Sequence, residues 1–162
     1  MKNLCYLLFL FMLLSCSNDN QNEKLVLNEN DSLVFTRYSP EGPSSFTFYK
    51  LTNSQVFKDD TSGFVMISQL EANYNENPVN LEDLGSDKFN LTKDLLNYFP
   101  SKLLTTVRNI GNPGANDSGV LYVQLSKNGV TKIWELHSDP NDVREEFRVF
   151  VQKVNEKINQ LQ

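Results

Sequence analysis

The chain has 162 residues, with 15 basic against 20 acidic side chains and a formal charge of −5, which is enough for one domain with a proper core and scarcely enough for two. An acidic balance without any run of Lys and Arg excludes a nucleic-acid grip, which needs clustered positive charge. One histidine, and no cysteine beyond position 16, excludes thiol catalysis and a Cys- or His-rich zinc centre in the folded part.

The N-terminus has the three-part layout of a secretory leader: Met1-Lys2-Asn3 carries one positive charge, Leu4 to Leu14 is uninterruptedly apolar, and Ser15-Cys16 follows. Eleven helical residues cover only about 16 Å, whereas a membrane span takes roughly 20 residues. Leu13-Leu14-Ser15-Cys16, followed by the polar Ser17-Asn18-Asp19-Asn20, resembles the lipobox of bacterial lipoprotein precursors. Leu14 is bulkier than the small residue preferred at its place. The resemblance covers the leader and implies that residues 1–15 are removed, that Cys16 receives a diacylglycerol, and that its new amine is acylated. Several acyl chains give near-permanent membrane anchoring, since each buried CH₂ contributes about 0.8 kcal/mol. Cys5 lies inside the leader, so cleavage leaves Cys16 without a disulfide partner, and lipidation gives that thiol a use. Ser17 stands where an Asp would resemble an inner-membrane retention signal, so the expected address is the outer membrane, in either leaflet. Removing Lys2 with the leader leaves 14 basic residues and a charge of −6.

Residues 16–31 are expected to form a lipidated, flexible tether, with Leu25-Val26-Leu27 as either part of it or a short edge strand. Asparagine, about one residue in eight, concentrates at 18–30 and 73–80 and reads as turn chemistry. A single α+β domain over 32–162 follows: an antiparallel sheet with helices packed on one face, including a long C-terminal amphipathic helix. Strands are expected at 33–38, 45–51 and 55–58, separated by Ser39-Pro40-Glu41-Gly42-Pro43 and Thr52-Asn53-Ser54. Residues 63–70 are a candidate fourth strand, and 71–90 reads as a long surface loop. Thr92 is expected to cap a short helix with Leu95, Leu96 and Phe99 on its apolar side, and Pro100 either ends it or starts a second turn. Residues 108–119, with three glycines and Pro113, read as another loop.

Asn128-Gly129 is the strongest short-range hairpin signal a sequence can carry. It sets a register in which facing residue numbers sum to 257, so Tyr122 meets Glu135 and Val123 meets Trp134. Alternation then puts Leu121, Val123, Leu125, Trp134 and Leu136 on a core face, and Val120, Tyr122, Gln124, Ile133, Glu135 and His137 on the other. After the hairpin, Asp139 and Pro140 start a helix whose apolar stripe runs Val143, Phe147, Phe150, Val151, Val154, Ile158, Leu161. The stripe suits the hairpin's core face better than a membrane surface, because acidic residues are prominent on its polar side and it follows a well-formed hairpin. The order of elements over 90–162 is similar to that of small uncharacterised bacterial lipoproteins, a likeness of layout that implies no activity.

No nucleophile elbow, phosphate loop or EF-hand spacing is present, and no cofactor, metal site or catalytic residue is expected. Asn112, Asn116 and Asp117 offer oxygen ligands for calcium, but amid glycines they read first as turn formers. Tyr122, Glu135 and His137 share the non-core face and are the candidate ligand-binding residues; the plain alternative is a half-exposed sheet face. Two functions remain open. One is a non-enzymatic binding or accessory module of the cell envelope, held to the membrane by its lipid, with an envelope protein or a polar ligand as partner and no nucleic acid. The other is a small carboxylate-dependent hydrolase or glycan-processing enzyme, whose paired acids need no fixed spacing.

Overall fold

Asn128 and Gly129 both take the left-handed backbone (φ 51° and 75°), the two positive values that a type I′ turn needs and that only such residues adopt cheaply. The hairpin they close is seen in a computed structural model that describes residues 24–39, 45–62, 81–114 and 119–162. The leader, Cys16, the candidate strand at 63–70, the 71–80 part of the expected loop, Asn116 and Asp117 lie outside the described residues.

Among the described residues seven strands are found: β1 (Ser32–Tyr38), β2 (Ser45–Leu51), β3 (Val56–Ser62), β4 (Leu81–Asp83), β5 (Asn109–Ile110), β6 (Val120–Lys127) and β7 (Val130–His137). They form one sheet in the order β4-β3-β2-β1-β6-β7-β5, antiparallel throughout except where β5 runs parallel to β7. Helix α1 covers Gly85–Thr92 and α2 covers Glu145–Leu161, with 3₁₀ turns at Lys93–Asn97, Ser101–Thr105 and Pro140–Asp142. The class is α+β with a mostly antiparallel sheet. The β6–β7 register pairs Tyr122 with Glu135, Val123 with Trp134 and Val120 with His137, as the Asn-Gly turn dictates.

One face of the sheet holds the main core. Leu33 and Phe35 of β1, Tyr49 and Leu51 of β2, Val56 of β3, Leu121, Val123 and Leu125 of β6, and Trp134 and Leu136 of β7 join Phe147, Phe150, Val151, Val154, Ile158 and Leu161 of α2 in a single cluster. Phe99 ties these layers together, its ring meeting Trp134 at 5.9 Å and Phe150 at 5.4 Å, both edge-on. Edge-to-face aromatic pairs of this kind add about 1 kcal/mol beyond the area they bury.

Several elements differ from the sequence expectation. The stretch 81–92 is a strand and a helix rather than loop. Helix α1 has Leu84 at its N-cap without a side-chain bond; the Asp83 carboxylate instead accepts the Gly85 amide at 2.8 Å. Thr92 closes this helix instead of capping the next, because its hydroxyl donates to the Lys88 carbonyl at 2.8 Å. Asp139 does cap, accepting the Asn141 amide at 2.8 Å, but the turn it starts ends at Asp142, and Val143 and Arg144 are extended before α2 begins. Within the expected 108–119 loop, Asn109 and Ile110 extend the sheet beside Glu135 and Leu136. Gly111 follows at φ 77°, and a Cβ there would sit 2.3 Å from the Asp142 carbonyl oxygen, so the close pass of these two turns requires glycine.

The expected tether is also shorter than its sequence suggests. Leu25 and Leu27 are buried in the main core, and the Leu25 amide donates to the Leu96 carbonyl at 3.3 Å. Lys127 donates to the Val26 carbonyl. Asp31 is buried and accepts the Asn28 amide at 2.9 Å and the Asn128 amide at 2.8 Å. From Lys24 onward the segment is therefore a strap fastened to the Asn-Gly hairpin.

Candidate functional site

Alternation along β6 and β7 brings Tyr122 and Glu135 to the second face of the sheet, opposite one another across the hairpin. That face was expected to be half exposed; it is largely buried. Tyr122 is 1% exposed, Gln124 1% and His137 8%. The pairing of β1 between β2 and β6, which the hairpin alone does not reveal, brings Val34 and Phe48 into a second apolar cluster with Tyr122, against which Tyr38 and Ile133 pack. The Phe48 ring stands edge-on to Tyr122, 5.8 Å between centroids, and the Tyr122 hydroxyl donates to Gln124 Oε1 at 2.7 Å.

Glu135 is fastened twice to Arg108. Its carboxylate accepts from the guanidinium at 2.6 Å, and its backbone amide donates to the Arg108 carbonyl at 2.9 Å. The Glu135 side chain is 17% exposed and that of Arg108 38%, so the pair opens to solvent on the arginine side. Two tyrosines feel this pair. Burial pushes both the Tyr122 and the Tyr38 hydroxyls well above the ordinary phenol range, the Glu135 carboxylate adds to the rise, and the Arg108 charge opposes it. Both phenols are accordingly protonated hydrogen-bond donors at any physiological pH.

His137 belongs to a different arrangement. It faces Val120 across the ladder, its Nδ1 accepts the Asp139 amide at 3.1 Å, and its Nε2 lies 3.5 Å from the Asp142 carboxylate. Accepting at Nδ1 places the proton of the neutral ring on Nε2, toward Asp142. The predicted trio is thus split: Tyr122 and Glu135 are brought together, and His137 is committed to the turn that follows β7. Sequence reasoning missed Arg108 and Tyr38. Tyr38 ends β1, and pairs with Val120; Arg108 precedes a two-residue parallel strand too short to show any periodicity.

In this patch the Glu135 carboxylate is paired with Arg108 and the Tyr122 hydroxyl is committed to Gln124, which leaves the outer side of the guanidinium facing solvent. Among the described residues no group of three or more His, Cys, Asp or Glu side chains is placed to hold a metal ion. No described helix is long and apolar enough to cross a membrane. No protein-family model matches the chain, and no curated protein is detectably similar to it.

Proposed function

We propose that this protein is a bacterial lipoprotein, anchored through Cys16 to the outer membrane, whose domain is a non-enzymatic binding or accessory module of the envelope. In this reading the helices lie on one face of the sheet, with α2 amphipathic against it, and the patch of Tyr38, Arg108 and Glu135 engages an envelope protein or a polar ligand. The observation that carries the binding role is the Arg108–Glu135 pair at 2.6 Å, open to solvent on the arginine side, with the half-buried Tyr38 phenol near enough to feel both charges. Arg108, the more exposed partner of that pair, can meet a carbonyl or carboxylate from the solvent side with its place already fixed by Glu135. A carboxylate-dependent hydrolase would need a second acid beside Glu135, where the described structure puts Arg108.

Two measurements test this proposal. Cys16→Ala should move the protein out of the membrane fraction; its recovery there in undiminished amount would overturn the anchor. A photoreactive phenylalanine analogue at position 38, irradiated in native envelopes, should give a specific adduct that Arg108→Ala weakens. Absence of any adduct dependent on position 38 would remove the binding role from this patch.

A further inference from the structure

The strap fixes where the chain leaves the domain. β1 starts at Ser32 and β2 ends at Leu51, while β3 starts at Val56 and the β6–β7 hairpin turns at Asn128-Gly129. The pairings Leu33 with Leu51, Ser32 with Ser126 and Leu51 with Val56 place all four at one end of the sheet. The strap is held at that same end, Asp31 by Asn128 and Val26 by Lys127. Lys24 lies there too, lining a cleft of about 400 Å³ with Thr52, Asn53, Phe89 and Lys93. At the opposite end, β1 stops at Tyr38 and β7 at His137. Seven strand steps of about 3.3 Å, or about 23 Å, separate the two ends along β7.

The geometry points to an interaction surface: the Ser32 end of the sheet, with Val26, Val130, Lys24 and Lys93, lies against the lipid headgroups, and the Tyr38–His137 end points away from the membrane. This rests on the lipid anchor at Cys16 proposed above. Seven residues stand between Cys16 and Lys24, and whatever conformation they take, eight extended steps reach at most about 28 Å. A domain of the roughly 140 residues from Lys24 onward has a radius of gyration near 14 Å, hence a diameter of about 37 Å. Inverting it would carry Lys24 at least the sheet's length of about 23 Å from the lipid surface, past the typical reach of about 16 Å for so short a flexible chain and attainable only with the tether pulled almost straight. A tether free as far as Asp31 would span an inverted domain with ease; the docked strap shortens it enough to disfavour inversion. The surface itself suits the occupant. Val26 and Val130 are apolar yet 60% and 58% exposed, and both stand at this end; Lys24 can extend its ammonium toward anionic headgroups, and Lys93, exposed beside it, would exchange its bond to Asn90 for one to a headgroup.

The thioether to the diacylglyceryl group consumes the sole thiol of the processed chain, so a single introduced cysteine is a unique labelling site. Ser54→Cys, in the exposed β2–β3 turn, and Asn141→Cys, exposed beyond the end of β7, carry the same fluorophore on lipidated protein. The protein is reconstituted in vesicles of phosphatidylethanolamine and phosphatidylglycerol containing a headgroup nitroxide. The label at 54 should be quenched several-fold more than the label at 141, and duplicating residues 17–23 should narrow the difference. Equal quenching of vesicle-bound protein, or stronger quenching at 141, overturns the orientation while leaving the anchor standing. Failure of the lipidated preparation to float with vesicles overturns the anchor itself, and so separates the two claims.

Discussion

Asp31 shows what one side chain contributes here. Its carboxylate collects the amides of Asn28 and Asn128 and lies 3.6 Å from the Lys127 ammonium. The two amides, Asn28 first, hold its acidity below the usual carboxylate range; burial opposes them and Lys127 assists. A carboxylate whose folded pKa is depressed stabilises the fold above its unfolded value, near 3.9, and that stability is lost as pH falls through the folded pKa. Asp31→Asn should therefore lower Tm by a few degrees at neutral pH, and the gap from the parent should close as the parent's own Asp31 is protonated in acid. Thermal melts across that range check it; a gap that stays constant with pH would mean that the charge of Asp31 contributes nothing. Glu135 makes the contrasting case. It too is held by a cation and a backbone tie to Arg108, but it keeps 17% of its side chain exposed where Asp31 is buried.

At the scale of elements, the strap is the least expected piece and the most easily tested. Leu25 and Leu27 are 7% and 6% exposed, and truncating a buried leucine costs about 2–5 kcal/mol. The strap is peripheral and can peel away, so Leu25→Ala with Leu27→Ala should cost about 2 kcal/mol each at most, levelling off once the segment detaches. Denaturant unfolding gives the cost, and amide exchange at Leu25, whose N–H bonds to Leu96, shows whether detachment is the cause. Unchanged stability would place the strap outside the cooperative unit. What the sequence made legible follows the same physics. The β6–β7 register was readable because an Asn-Gly turn specifies its partners locally, and β1, β2 and the apolar stripe of α2 were readable from period alone. β4 and β5 span three residues and two, too short for any period, and their strand character comes from neighbours distant in sequence. α1 was hidden because it buries only Thr92 fully, leaving no stripe; the Asp83-x-Gly85 cap was its one signal. Of the candidate site, the Tyr122–Glu135 pairing was legible from the hairpin. Burial of that face and the arrival of Arg108 were not, since they depend on β1 and β5 joining β6 and β7.

The whole molecule is two locally connected strand groups joined by one long-range seam. β1 through β4 pair in chain order, β6 pairs with β7, and β1 against β6 unites them over seven residue pairs, Ser32 with Ser126 through Tyr38 with Val120. Arg37, from the same seam, reaches Asn155 and Asn159 on α2 at 3.1 and 3.0 Å, so the helix closes over the joint. Because residues of both groups share one apolar cluster, neither half keeps its core if the seam opens. Trp134, the sole tryptophan, is 1% exposed within that cluster and reports on the β7 side. Leu51, fully buried on β2, belongs to the other group. Leu51→Ala should destabilise by about 3 kcal/mol and shift the Trp134 fluorescence transition and the far-ultraviolet circular dichroism transition together, with coincident midpoints. A Trp134 transition left at its original midpoint while the dichroism signal moves would mean that the seam does not couple the halves, and that the sheet is two units sharing a border.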